Sequence, residues 1–231
     1  MWAQSVFVLV ALSGLSFASV GAGQTVKPSN TATNSQAAVP VLKPTPQTAD
    51  QAVCGDALFS SDQMYVFVIN GVDPLWMAGL QRLGNQIRQS GYPNTKTLVL
   101  HESSAVEREI RYRYRTNQNA RFTLIGYSAG TYVVKSMAGR LTRDGVPVAM
   151  VGYLGGDYLR DSSATQLLGV GRVVNVTGDG YLLTGKNLLF NGTCISGARN
   201  VHLAGTRHFN LPNHPGTYAA LIEGLNEASA R

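Results

Sequence analysis

Residues 126–130 read Gly-Tyr-Ser-Ala-Gly, which places Ser128 in a G-x-S-x-G pentapeptide. A serine hydroxyl is a poor nucleophile at neutral pH. It attacks a carbonyl only when a hydrogen-bonded base takes its proton and a carboxylate orients and supports that base. The pentapeptide alone is a weak signal, because with glycine this frequent one match is expected by chance in about one such chain in five. Its context gives it weight. A strand-like run, Phe122 to Ile125, ends on the first glycine, and a helix-like run, Thr131 to Leu141, follows the serine. A turn this tight leaves no room for side chains beside the serine, a steric reason for Gly126, Ala129 and Gly130 to be small.

The base must be one of four histidines. His101 precedes the serine. His202 lies in the apolar run Val201 to Ala204 and reads as a core histidine. His208 falls just past that run, in Gly205-Thr206-Arg207-His208-Phe209, and is the expected base. His214, before Pro215, reads as the start of the final helix and is the alternative base. Asp179, in the glycine-bounded Thr177-Gly178-Asp179-Gly180, is the expected carboxylate; Asp157 is the alternative, drawn from the preceding strand, and Asp161 reads as solvated.

These residues need a frame that brings them together. Met64 to Ile69 is a continuous β-branched and aromatic run, as expected of a strand buried on both faces. Asp73 and Pro74 then suit the start of a helix carrying Trp76, Leu80, Leu83 and Ile87 at helical spacing before Gly91. Thr97 to Leu100 reads as a second strand. Ser104 and Glu107 have capping-box spacing ahead of a helix with Val106, Ile110 and Tyr114 on one face. Further strands are expected over Phe122–Ile125, Val148–Tyr153, Gly171–Val176 and Asn200–Ala204, with helices over Ala129–Leu141 and Thr217–Leu225. Strands separated by helices imply βαβ units, hence a mostly parallel sheet in a three-layer α/β/α sandwich whose function sits at the carboxyl ends of the strands.

The order Ser128, Asp179, His208 on this alternation resembles the α/β-hydrolase superfamily, and the resemblance spans Tyr65 to Leu225. It implies a serine hydrolase acting through an acyl-enzyme, of the carboxylesterase or lipase kind, with Asn70-Gly71-Val72-Asp73 as the oxyanion loop. The donors would be the N–H groups of Val72 and Ala129; Asn70 replaces the family's usual histidine ahead of the glycine. The family's common sheet has eight strands and six are legible here, so a trimmed member without the early antiparallel strands and without a large cap is implied. The connection between Asp157 and Gly171 is too short for such a cap, and Leu182 to Ser196 is the candidate local cover.

The remaining sequence sets the surroundings. Val6 to Leu15 is an apolar stretch too short to span a membrane, followed by small residues that suit cleavage after Ala18 or Ala22, so residues 1–22 read as a signal peptide. Residues 23–51, rich in Pro, Thr and Ser, read as a disordered linker, and the folded domain is expected over 52–229. Secretion, or residence in the periplasm or envelope, follows, with no membrane span after cleavage. Cys54 and Cys194 then fit one disulfide, and Asn191-Gly192-Thr193 is a glycosylation sequon. The net charge of +6 invites a nucleic-acid reading, but Arg108, Arg111, Arg113 and Arg115 alternate with Glu107 and Glu109, the pattern of a solvated helix face, and no nucleic-acid partner is expected. No metal or organic cofactor is called for: H-E-x-x-H, C-x-x-C, P-loop and dinucleotide motifs are all missing. The expected partner is a small-molecule or lipid ester, and the sequence says nothing of oligomeric state. The competing reading is a catalytically silent domain of the same fold, tethered at the cell envelope for binding or scaffolding.

Overall fold

The computed structural model describes residues 61–71, 78–156, 169–179 and 194–230. The expected signal peptide and linker lie outside these residues, as do Cys54, Val72, Asp73, Asp157, Asp161, the sequon and most of the candidate cover.

Six strands form one sheet: β1 (Met64–Ile69), β2 (Thr95–Leu98), β3 (Arg121–Tyr127), β4 (Val148–Leu154), β5 (Val170–Gly178) and β6 (Arg199–Leu203). Their order is β2-β1-β3-β4-β5-β6, and every described pairing is parallel. Four helices cover the sheet: α1 (Leu80–Gln89), α2 (Ser103–Thr116), α3 (Gly130–Arg143) and α4 (Pro215–Ser229). Side chains alternate across each strand, so the sheet feeds two cores. Phe67, Ile69, Phe122 and Leu124 pack with Val106 and Ile110 of α2 and Val134 and Met137 of α3. On the other face Met64, Val66, Val68 and Val174 pack with Leu80, Leu83 and Ile87 of α1 and Leu221 and Leu225 of α4. This is a three-layer α/β/α sandwich with the layout of an α/β-hydrolase fold trimmed to its parallel strands.

Three local expectations need correction. Helix α1 begins at Leu80, not near Asp73: Gly79, at φ 72°, breaks the helical path. A side chain there would also meet the Asn213 amide. Strand β2 runs two residues earlier than expected, because Leu100 enters a 3₁₀ turn over Leu100–Glu102 in which Glu102 Oε2 accepts the Val99 N–H at 2.9 Å. The capping box at Ser104 does not form. Helix α2 starts at Ser103 with no side-chain cap, and Glu107 turns to two guanidinium groups, Arg140 at 2.7 Å and Arg111 at 2.8 Å. Charge-assisted bonds to two arginines outweigh one bond to a backbone N–H.

Two arginines of the α2 run, Arg111 and Arg113, are matched by neighbouring acids. Arg113 bonds Glu109 four residues back at 2.7 Å and stacks over the Tyr65 ring, while Arg111 also reaches Asp144. The pairing holds Glu107 below the usual carboxylate range, its bond from Arg140 being the largest cause.

Leu221 is fully buried between α4 and the sheet, whereas Tyr112 on α2 is 62% exposed. Leu221→Ala should therefore cost about 3 kcal/mol of unfolding free energy, and Tyr112→Ala no more than about 0.5 kcal/mol. Urea denaturation followed by circular dichroism measures both, and equal losses would contradict this division of the core.

Candidate active site

The strand order reverses between β1 and β3, so the crevice beyond their carboxyl ends is where an open parallel sheet binds ligands. Ser128 stands there, directly after β3. Among the described residues it is the one non-glycine with a left-handed backbone, at φ 53°, a conformation that disfavours a side chain. Its own backbone bonds hold it in place. The N–H donates to Leu154 O at the end of β4 (2.9 Å), and the carbonyl accepts from the Thr131 N–H (3.0 Å) and the Thr131 hydroxyl (2.6 Å). The glycines on either side are required by backbone approach. A Cβ on Gly126 would lie 2.5 Å from Gly130 O, and one on Gly130 would strike Ile69 O at the end of β1. A Cβ on Gly71 would lie 2.7 Å from Tyr127 O, 2.8 Å from the Ala129 nitrogen and 3.0 Å from Ser128 Cβ. The chain after β1 therefore runs against the serine and the first amide of the following helix.

His208 opens a 3₁₀ segment, His208–Asn213, a short way past β6. Its ring is buried and stacks on Tyr127, with centroids 4.8 Å apart and planes at 24°, and the Tyr127 hydroxyl donates to His208 O at 3.2 Å. Gly155, at φ 57°, also meets the ring: a Cβ there would lie 2.8 Å from His208 Nδ1. Tyr127 precedes Ser128 and Gly155 follows the residue that accepts the Ser128 N–H, so serine and histidine are gathered at the ends of β3 and β4. The segment is tied down at its far end as well. Asn213 Nδ2 donates to Ala78 O (2.9 Å), and the Thr217 hydroxyl donates to Leu211 O (2.6 Å). Burial lowers the His208 pKa from 6.5 to about 4, so the imidazole is neutral at pH 7.

The other site candidates fall as follows. Asp179 follows β5, and its N–H donates to Thr206 O at 2.9 Å, but its carboxylate turns to His202 Nε2 at 3.0 Å and to the Gly205 N–H. His202 is not the core histidine expected from its apolar neighbours. Its register on the edge strand β6 pairs it with Thr177 and leaves its side chain 57% exposed. His214 is the N-cap of α4, its Nδ1 accepting the Gly216 N–H at 3.0 Å. Ala129 lies just before α3 and against Gly71. Asp157 and Val72 lie outside the described residues. Cys194 is exposed and makes no disulfide among the described residues.

Sequence reasoning missed Tyr127, Gly155 and Gly156 as parts of the site. Gly156 packs on Thr131, where a Cβ would lie 2.6 Å from the hydroxyl. Two adjacent glycines directly after a strand were the available signal for close approach. A cavity of about 270 Å³ bordered by Arg121, Pro147, Gly169 and Arg172 lies at the amino ends of β3, β4 and β5, away from Ser128. No group of residues able to hold a metal ion occurs among the described residues, nor does a helix long and apolar enough to cross a membrane.

No family model and no curated protein matches the sequence. Solved structures with a similar chain path include a cutinase-like protein from Cryptococcus sp. (15% identity, 75% of this chain and 98% of that one, TM-score 0.46). Others are a CIB-like hydrolase from Thermoplasma acidophilum (13%, 71% and 86%, TM-score 0.44) and an alpha-beta serine hydrolase homologue from Coxiella burnetii (17%, 76% and 86%, TM-score 0.44). At these identities the likeness concerns the path of the chain.

The buried neutral imidazole has a consequence for stability. Between pH 6.5 and about 4 the unfolded chain binds a proton at His208 that the folded protein does not. The contribution is therefore complete above pH 6.5 and lost as pH falls toward 4. Urea midpoints measured across this window should fall with pH, and His208→Gln should flatten the slope; an unchanged slope would mean that the ring is not held neutral by burial.

Proposed function

We propose that the protein is an exported serine hydrolase that cleaves carboxylic or thio esters through an acyl-enzyme on Ser128. The observation that carries this reading is the left-handed Ser128 on a strand-to-helix turn with a buried, neutral histidine at the same crevice. A left-handed non-glycine residue is strained, and strain of this kind gathers at functional sites. Here it sets the hydroxyl at the mouth of the sheet, where His208 is the base.

In the proposed reaction the Ser128 hydroxyl attacks the ester carbonyl while His208 takes its proton. The oxyanion is received by the N–H groups of Ala129 and Val72, each such donor contributing about 3 kcal/mol to the transition state. His208 then returns the proton to the leaving alcohol or thiol. Water, deprotonated by the same imidazole, releases the acid. Asp179 is the proposed orienting carboxylate and Asp157 its alternative. The site is proposed to be open, suiting small esters or accessible lipid esters.

A fluorophosphonate probe should label Ser128 in the intact protein, and Ser128→Ala should abolish both labelling and p-nitrophenyl butyrate hydrolysis while thermal unfolding is retained. Asp179→Asn should lower kcat by about a hundredfold or more, and Asp157→Asn much less; the reverse ranking would assign the acid to Asp157. Full hydrolysis by Ser128→Ala would end the proposal and favour a silent binding domain.

Export and a Cys54–Cys194 bond belong to the same reading. Protein recovered from the exported fraction should start near residue 19 or 23 and take up two alkyl groups only after reduction, as read by intact mass. Alkylation of both thiols without reduction would remove the disulfide.

A further inference from the structure

The sheet face turned toward α2 and α3 carries a polar ladder between β5 and β6. Asn175 Nδ2 donates to Asn200 Oδ1 at 2.9 Å; one step nearer the carboxyl ends, Thr177 Oγ1 and His202 Nδ1 are 3.1 Å apart. The ladder ends on Asp179, held by His202 Nε2 at 3.0 Å and by the Gly205 N–H. The proton positions follow from chemistry. A carboxylate oxygen accepts, so His202 Nε2 carries the hydrogen that Asp179 receives, and Thr177 Oγ1 bonds the other ring nitrogen. Three groups in line thus fix the direction of one carboxylate, which is still 46% exposed.

The backbone of Asp179 is fixed separately. Its N–H bond to Thr206 O ties it to a segment two residues short of His208, and Gly178 lies against the same carbonyl. His202 thus competes for a carboxylate whose backbone is already held beside the base.

We propose that His202 is a positioning residue that, with the Gly205 N–H, holds the Asp179 carboxylate away from His208 and thereby sets how much of that charge the base receives. The inference rests on Asp179 as the orienting carboxylate. In this proposal, rotation about the Asp179 side-chain bonds, with the backbone held by Thr206 O, would bring the charge to His208. Among the described residues Asp179 is the charged group facing His202. Arg199 and Arg172 point to the opposite face, where they pair with Glu223 and Glu227 of α4. Among the described residues Tyr127 is the titratable group stacked on His208, and Arg207 beside it is exposed.

The test follows the titration of His208 by NMR, its resonance identified by loss in His208→Gln. In His202→Ala the freed carboxylate pairs with the imidazole, and the His208 midpoint should rise by about one to three pH units. His202→Gln, which restores a neutral donor, should stay near the wild-type midpoint. Adding Asp179→Asn to His202→Ala should cancel the rise. An unchanged His208 midpoint in His202→Ala, or a rise that survives Asp179→Asn, overturns the proposal. This readout needs no substrate, so failure of probe labelling at Ser128 would end the hydrolase reading without moving it.

Discussion

The left-handed backbone of Ser128 is the constraint on which the neighbouring structure depends. A non-glycine residue in this region costs on the order of 1–3 kcal/mol and persists only where its surroundings over-determine it. Here they do so from three sides. Leu154 O on β4 fixes the N–H and Thr131 on α3 holds the carbonyl, while β1 meets the turn through Gly130 and the glycine that follows it, Gly71. Each contact needs β1, β3 and β4 in parallel register with their ends level, because a shift of one residue would carry Gly71 or Leu154 away from the serine. The order β2-β1-β3-β4-β5-β6 supplies that arrangement. Removing any of the three glycines would force backbone against side chain at a point where neither can yield.

The histidine is placed by a different principle. It opens a short 3₁₀ segment rather than lying on a strand or α-helix, and its ring packs on Tyr127 and against Gly155. A flat ring between an aromatic face and a bare glycine loses most of its solvent, and that desolvation keeps it neutral. The same packing couples His208 to Ser128 mechanically, since Tyr127 is the residue before Ser128 and Gly155 the residue after Leu154. Asn213, at the end of the 3₁₀ segment, ties it to Ala78, so the residues just before α1 and the residues carrying the base hold each other.

Much of this was legible in the sequence because it depends on local rules. The runs Met64–Ile69 and Val148–Tyr153 are too apolar and β-branched to be anything but buried strands, and the glycines around Ser128 record a turn without room. What was not legible depends on pairing across the fold. The direction of Glu107 is decided by Arg140, a residue 33 positions away on another helix, and spacing within α2 could not reveal it. His202 sits among apolar residues yet is exposed, because β6 is an edge strand and alternation points 200 and 202 toward a partly open face. Neighbours in sequence share a strand, but neighbours at spacing two share an environment. Nothing in the sequence around Gly155 and Gly156 assigns them a partner; the ring and the threonine packed against them give the pair a purpose.

Ser128, His208, Tyr127 and the glycines about them belong to the ends of β3, β4 and the segment after β6, all braced by the two cores. β1, β4 and β5 end at this same edge, and Val72, Asp157 and the candidate cover from Leu182 follow those strands in the sequence. A parallel sheet brings the ends of successive strands to one edge, so each connection that returns over the helices begins at the edge where Ser128 stands. The turn at Ser128 is itself fixed by backbone contacts to the end of β1, to Gly71 and to β4. Asp179 is pinned by its backbone to the braced frame and turned by its carboxylate toward an exposed histidine.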